Sequence, residues 1–159
     1  MLLGGIAIDK LSNNLQEMTP EQIKQAVKGK YGQVASNPQA KLNFPVGKKF
    51  AESVGYCAEL LDKLPASMWE SFTGAGNPQP YIDIKPGEKI LDLGCGAGLD
   101  LYLYAQATVS DGKVYGLDIS EEMIAKARRN MEILGVQNVE FFCAAADSIP
   151  LPEIGRAHV

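Results

Sequence analysis

The sequence predicts an α/β fold built on a parallel sheet, and three observations predict it. Short apolar runs suited to buried parallel strands stand at residues 89–93, 113–118 and 139–143. Helical patterns separate them, from Gly98 to about Ala107 and from Ser120 to Gly135. A glycine cluster, Gly94-Cys95-Gly96-Ala97-Gly98, closes the first run and opens the helix after it. The order strand-helix-strand-helix-strand implies one sheet with right-handed crossovers.

Upstream of these runs no strand is expected. Thr19-Pro20-Glu21-Gln22 is a helix start: Thr19 caps, Pro20 suits the first turn, and Gln22 reaches back as in a capping box. That helix is expected to run to about Lys30 and end near Tyr31-Gly32. Residues 36–47 hold two prolines and little periodicity, and read as a loop. Lys48 to Phe72 reads as short helices broken at Gly55 and Pro65, followed by a turn-rich linker from Gly74 to Pro80. In the last helix Ser120 caps, and Glu121 and Glu122 occupy the first turn, where carboxylates favour the positive helix end. Met123, Ile124, Ala127, Met131 and Leu134 share one face, and Gly135 is a stop. The chain thus divides into a helical segment and linker (1–80), a sheet-forming segment (81–152) and a tail (153–159).

Composition excludes several function classes. Of 159 residues 46% are hydrophobic, enough for one core, and none of the runs approaches the ~20 apolar residues of a membrane span. A net charge of −4 argues against a nucleic-acid backbone binder, and the pairs Lys48-Lys49 and Arg128-Arg129 read as solvated helix faces. Leu2 to Ile8 lacks the flanks of a secretion signal, so a cytoplasmic location is expected. The three cysteines, Cys57, Cys95 and Cys143, have neither disulfide-framework nor zinc spacing and read as packing residues; no metal site is expected. The single histidine, His158, stands next to the end, so the body of the chain has no imidazole for general-base chemistry, and no catalytic residue is assigned.

The candidate site lies where the strands end. Glycines at a strand-to-helix turn let the backbone approach a ligand. Asp92 stands just before the glycine loop, Asp118 ends the second run, and Ala146-Asp147 follows the third. Open α/β sheets bind ligands at the carboxyl ends of their strands, and an acid about twenty residues past the loop suits a ribose diol. The loop reads GxGxG followed by Leu99 and Asp100, one residue short of the dinucleotide fingerprint GxGxxG. Acids crowding the loop repel a pyrophosphate and favour a cationic ligand without phosphate. A nicotinamide-dependent oxidoreductase is the disfavoured rival.

With these residues in hand, the stretch from Lys85 to Pro152 resembles class I S-adenosylmethionine-dependent methyltransferases. Lys89 to Gly98 resembles the family's first motif, Gly116-Leu117-Asp118-Ile119-Ser120 with Glu122-Met123 its second, and Ala146 to Pro152 the loop after the third strand. The resemblance implies a Rossmann-like parallel sheet, of which this chain carries the first three of seven strands behind an N-terminal helical layer. It also implies roles: Gly94, Gly96 and Gly98, with Cys95 in the same loop, cradle the methionine end, and Asp92 supports the loop and the amine. Asp118 takes the ribose hydroxyls, Ile119 and Met123 pack on adenine, Asp147 accepts from the adenine amino group and Ala146 lends its backbone. Upstream, Val27 to Ala35, Gly55-Tyr56 and Gly74-Ala75-Gly76-Asn77-Pro78 resemble arsenite methyltransferases. That subfamily commonly has an arsenic-holding cysteine where this chain has Ala75, and Cys57 is the nearest upstream thiol.

The function so implied is methyl transfer from S-adenosylmethionine to a small-molecule acceptor, with arsenite as the acceptor the subfamily suggests. A non-catalytic cofactor-binding module, or an inactive fragment, is the alternative. Glu153 to Val159 can be back-translated as a sequencing-adapter read ending in a stop, so this tail is expected to be an artefact. On that reading the isolated chain is expected to be poorly soluble and inactive.

Overall fold

In the computed structural model, residues 18–37, 45–109, 111–151 and 157–158 are described. The opening segment Leu2–Ile8 and most of the proline-containing loop at 38–44 lie outside them.

Helix α1 spans Pro20–Ser36 and begins as its sequence dictates. The Gln22 N–H donates to Thr19 Oγ1 at 3.3 Å, and the Thr19 N–H donates to Gln22 Oε1 at 2.8 Å. The helix runs past the expected stop at Tyr31-Gly32. Its last turn buries Val34 and Ala35 in a cluster with Ala97 and Met123, and such packing outweighs the low helix propensity of glycine. Gly32 has a packing reason too, because a Cβ there would stand 3.2 Å from Glu122 Oε2.

Three short helices follow: α2 (Lys48–Ser53), α3 (Ala58–Lys63) and α4 (Ala66–Trp69), with breaks at Gly55 and Pro65. Ala51, Leu61 and Met68 are buried in one core with Leu99, Leu103 and Met131, which lays this helical layer against the helices of the sheet segment. Lys48 pairs with Asp62 and Glu52 rather than standing free, while Arg128 and Arg129 are exposed. A single 3-10 turn, Gln79–Tyr81, lies in the linker.

The sheet segment alternates β1 (Lys89–Leu93), α5 (Leu99–Thr108), β2 (Lys113–Asp118), α6 (Glu121–Ile133) and β3 (Val139–Cys143). All strand pairs are parallel; Asp92 stands opposite Gly116 and Asp118 opposite Cys143. This is the Rossmann-like sheet that the sequence predicts. A second core of Ile90, Val114, Leu101, Tyr104, Ala105, Ile124 and Ala127 joins strands to helices. Burying each such large side chain contributes about 1.5–3 kcal/mol. α6 is capped by Ser120 Oγ, which accepts from the Met123 N–H at 3.2 Å, and the chain leaves it through Gly135 at φ +67°.

One difference from expectation lies in the tail. Ala157–His158 form a fourth strand, β4, parallel to β1, in a sheet ordered β3-β2-β1-β4. The free side of β1 offers unpaired N–H and C=O groups, and an extended segment satisfies them. Among the described residues no helix is long and apolar enough to cross a membrane.

Candidate functional site

The loops after β1, β2 and β3 border a cavity of about 680 Å³. They contribute Gly94 to Ala97, Asp118-Ile119 and Ala144 to Asp147. α1 supplies a second wall through Ile23, Lys24, Val27 and Tyr31, and Met68 with Ser71 to Ala75 supplies a third. The helix that precedes the sheet in sequence therefore covers the strand ends.

In the β1 loop Gly94, Gly96 and Gly98 all adopt positive φ, at +80°, +52° and +93°. At Gly94 and Gly96 an added Cβ would meet nothing within 4 Å, so both border open space that a ligand can fill. Gly98 is different: a Cβ there would stand 3.3 Å from Ala127 Cβ and 3.2 Å from Met131 Cε. Its lack of a side chain serves the packing of the loop on α6. Cys95 is buried, and its sulfur lies toward β2, 3.1 Å from where a Cβ on Gly116 would stand.

Asp118 ties the loop to the next helix. Its Oδ2 accepts from the Gly96 N–H at 2.9 Å and its Oδ1 from the Ser120 N–H at 2.8 Å. Burial pushes its carboxyl up and these N–H groups pull it back. Two more acids stand close. Burial, with the charges of Asp100 and Asp118, pushes Asp92 up to about 8, and its Oδ2 is buried with no hydrogen-bond partner. Burial pushes Asp100 up to about 6, against the pull of the Tyr56 hydroxyl, which lies 2.7 Å and 2.9 Å from its two oxygens. Burial and these acids hold Tyr56 and Tyr104 protonated well above the usual phenol range.

Lys24 is the single cation in the described wall, and its Nζ lies 2.7 Å from Asp147 Oδ2. A cavity rich in carboxylates, with that cation engaged, prefers a positively charged ligand over a pyrophosphate. Among the described residues two buried side-chain atoms lack a polar partner, Ser71 Oγ in the wall and Asp92 Oδ2 behind it. The residues present thus fit a cationic, polar ligand.

Residues 84–154 match the family model described as "Methyltransferase domain". The match covers less than half of the chain. Over 90% of its length the chain is 32% identical to an arsenite methyltransferase of Halobacterium salinarum, of which it covers 41%. Over 43% of its length it is 42% identical to a demethylmenaquinone methyltransferase of Bacillus mycoides, of which it covers 29%. A crystal structure of a SAM-dependent methyltransferase from Aquifex aeolicus superposes with a TM-score of 0.44 at 36% identity, covering 46% of this chain and 39% of that one. The chain spans less than half the length of each of these relatives.

Of the residues singled out from sequence, Gly94, Cys95, Gly96, Asp118, Ile119, Met123, Ala146 and Asp147 line the cavity together. Asp92 and Gly98 are not in its wall. Asp92 lies behind the wall and feels the charges of Asp100 and Asp118 in it, and Gly98 bears on the loop through packing. Met123 both lines the cavity and packs in the core with Val34 and Ala35.

Two cysteines expected in the core are exposed. Cys57 stands at the start of α3, its thiol 2.7 Å from Glu59 Oε2, and Cys143 ends the outer strand β3. Sequence reading expects the upstream helices to lid the cofactor site, and Ile23, Val27 and Tyr31 recur at i, i+4 and i+8, the signal of one helix face. It leaves Tyr56, Asp100 and Ser71 without a role. Tyr56 and Asp100 meet only through tertiary contact, and nothing in the sequence around Ser71 marks it.

Proposed function

We propose that the chain binds S-adenosylmethionine in this cavity and serves methyl transfer to a small-molecule acceptor. The observation that carries the reading is the acidic, cation-poor cavity at the glycine loop, where Asp100 and Asp118 stand in the wall and Asp92 just outside it. Gly94 and Gly96 leave room for the methionine end, and Asp92 and Asp100 attract its ammonium and the sulfonium charge. Asp118 keeps lone pairs for the ribose hydroxyls while its N–H bonds hold it in place. Ile119 and Met123 flank the adenine, Ala146 offers its backbone, and Asp147 takes the adenine amino group in exchange for Lys24.

The cofactor supplies an already activated methyl group, so the protein's task is alignment and exclusion of water, and no side chain need act as acid or base. Arsenite as acceptor would need thiolates. The relative from Halobacterium salinarum supports it, yet Ala75 lines the cavity, Cys57 and Cys143 do not, Cys95 stands in the wall as a lone buried thiol, and the described residues hold no metal-binding cluster. The acceptor is therefore assigned here only as a small molecule.

The test is calorimetric titration of the chain with S-adenosylhomocysteine. Saturable one-site binding that NADH does not displace is expected. Absence of binding, or displacement by NADH, overturns the reading.

A further inference from the structure

We propose that Ser71 binds the carboxylate of the methionine end of S-adenosylmethionine by donating its hydroxyl hydrogen; this rests on the cofactor reading above. Ser71 is 3% exposed, its Oγ has no hydrogen-bond partner, and it lines the cavity. A buried hydroxyl without a partner costs about 1–3 kcal/mol, so its persistence at a cavity wall points to a partner that arrives with the ligand.

Its place in the fold selects the amino-acid end of that ligand. Met68, one turn earlier, shares a core cluster with Leu99, the first residue of α5. Ser67 Oγ bonds Asn130 Oδ1, and Asn130 Nδ2 donates to the Ala97 carbonyl at 2.9 Å. The segment bearing Ser71 is thus pinned over the glycine loop. The neighbouring Glu70 is paired with Lys126 at 2.8 Å, which offsets a charge that would otherwise repel a carboxylate.

The charge pattern of the cavity gives the second argument. An amino acid is zwitterionic. Asp100 and Asp118 in the wall, with Asp92 behind them, suit its ammonium but not its carboxylate, and Lys24, the single cation of the described wall, is engaged by Asp147. A neutral donor must therefore serve the carboxylate. Thr73 and Tyr31 are the other hydroxyls in the described wall, but both are open to water, whereas Ser71 is buried and unpaired.

The experiment compares two probes, S-adenosylhomocysteine and 5′-methylthioadenosine, which shares the nucleoside and sulfur but lacks the amino-acid end. Ser71→Ala is expected to weaken S-adenosylhomocysteine roughly 10- to 100-fold, as for a lost hydrogen bond to a charged group, and to leave methylthioadenosine within about twofold. The nearly isosteric Ser71→Cys, a weak donor, is expected to show the same selective loss and covers the case in which the alanine variant misfolds. Equal weakening of both probes, or of neither, overturns the assignment. If the unsubstituted chain binds neither probe, the cofactor reading itself fails.

Discussion

Asp92→Asn separates what the acidic cluster does to the fold from what it does for a ligand. Burial and its acidic neighbours raise the Asp92 carboxyl to about 8, against an ordinary value of 3.8. The folded state therefore binds its proton more tightly than the unfolded state does. The sign follows: the group costs nothing below about pH 4, costs progressively more as pH rises from 4 to 8, and reaches its full cost above that. At about 1.4 kcal/mol per pH unit the ceiling is on the order of 5 kcal/mol, part of it shared with Asp100 and Asp118, which titrate with it. Asparagine keeps the shape and removes the charge.

Melting curves of both proteins from pH 4.5 to 8.5 are expected to coincide at the acid end and to diverge toward pH 8. At about 2–4 °C per kcal/mol for a chain of this size, the variant should then melt on the order of 10 °C higher. Asp100, raised to about 6, acts in both proteins and largely cancels from the difference. The same substitution is expected to weaken S-adenosylhomocysteine about tenfold or more at pH 8, because the ammonium loses a buried counter-charge. In the unsubstituted chain at pH 7 Asp92 is mostly protonated, so binding should release up to about one proton, read as a buffer-dependent heat. A stability difference independent of pH, or a variant less stable at pH 8, would refute the reasoning.

Other substitutions probe the frame around the cavity. Asp118→Ala removes the acceptor of the Gly96 and Ser120 N–H groups and the proposed ribose ligand, and should weaken S-adenosylhomocysteine by about 1–3 kcal/mol in calorimetry; unchanged affinity would take Asp118 out of the site. Gly116→Ala places a Cβ 2.6 Å from Leu101 Cδ1 and 3.1 Å from Cys95 Sγ, and should lower stability to urea by about 1–3 kcal/mol; an unchanged midpoint would mean that α5 shifts freely on the sheet. Val109 holds φ +54° and ψ −170°, a region that a β-branched residue rarely adopts, so Val109→Gly should raise stability by about 1 kcal/mol despite glycine's greater freedom when unfolded. A loss in the same titration would show that the valine is not strained.

The parts of the molecule legible in sequence are those governed by neighbours a few residues away. Thr19 and Gln22, the run from Lys89 to Leu93 and its glycine loop, and Ser120 before Met123 each act within one turn or one strand, and each stands where the sequence places it. The loop acids are legible for the same reason, because the ends of parallel strands converge. The length of α1 is set by Val34 and Ala35 finding Ala97 and Met123, which no local rule contains. Tyr56 reaching Asp100, and Lys24 reaching Asp147, likewise depend on how the helical layer lies on the sheet. β4 required the open side of β1, and Cys57 is exposed because its backbone begins a helix at the surface, whatever the general preference of cysteine for cores.

The wall formed by α1 is held unevenly. Its carboxyl-terminal turn is buried, whereas its first turns are attached through exposed ion pairs, Lys24 to Asp147 and Lys28 to Glu121, which contribute little in water. Between those ends, Ile23, Val27 and Tyr31 remain partly exposed and turn toward the cavity. Whatever fills that space becomes part of the helix's own core, so the population of docked α1 rises with ligand concentration by mass action. For this stretch of chain, the small molecule is one of the hydrophobic residues that the sequence does not encode.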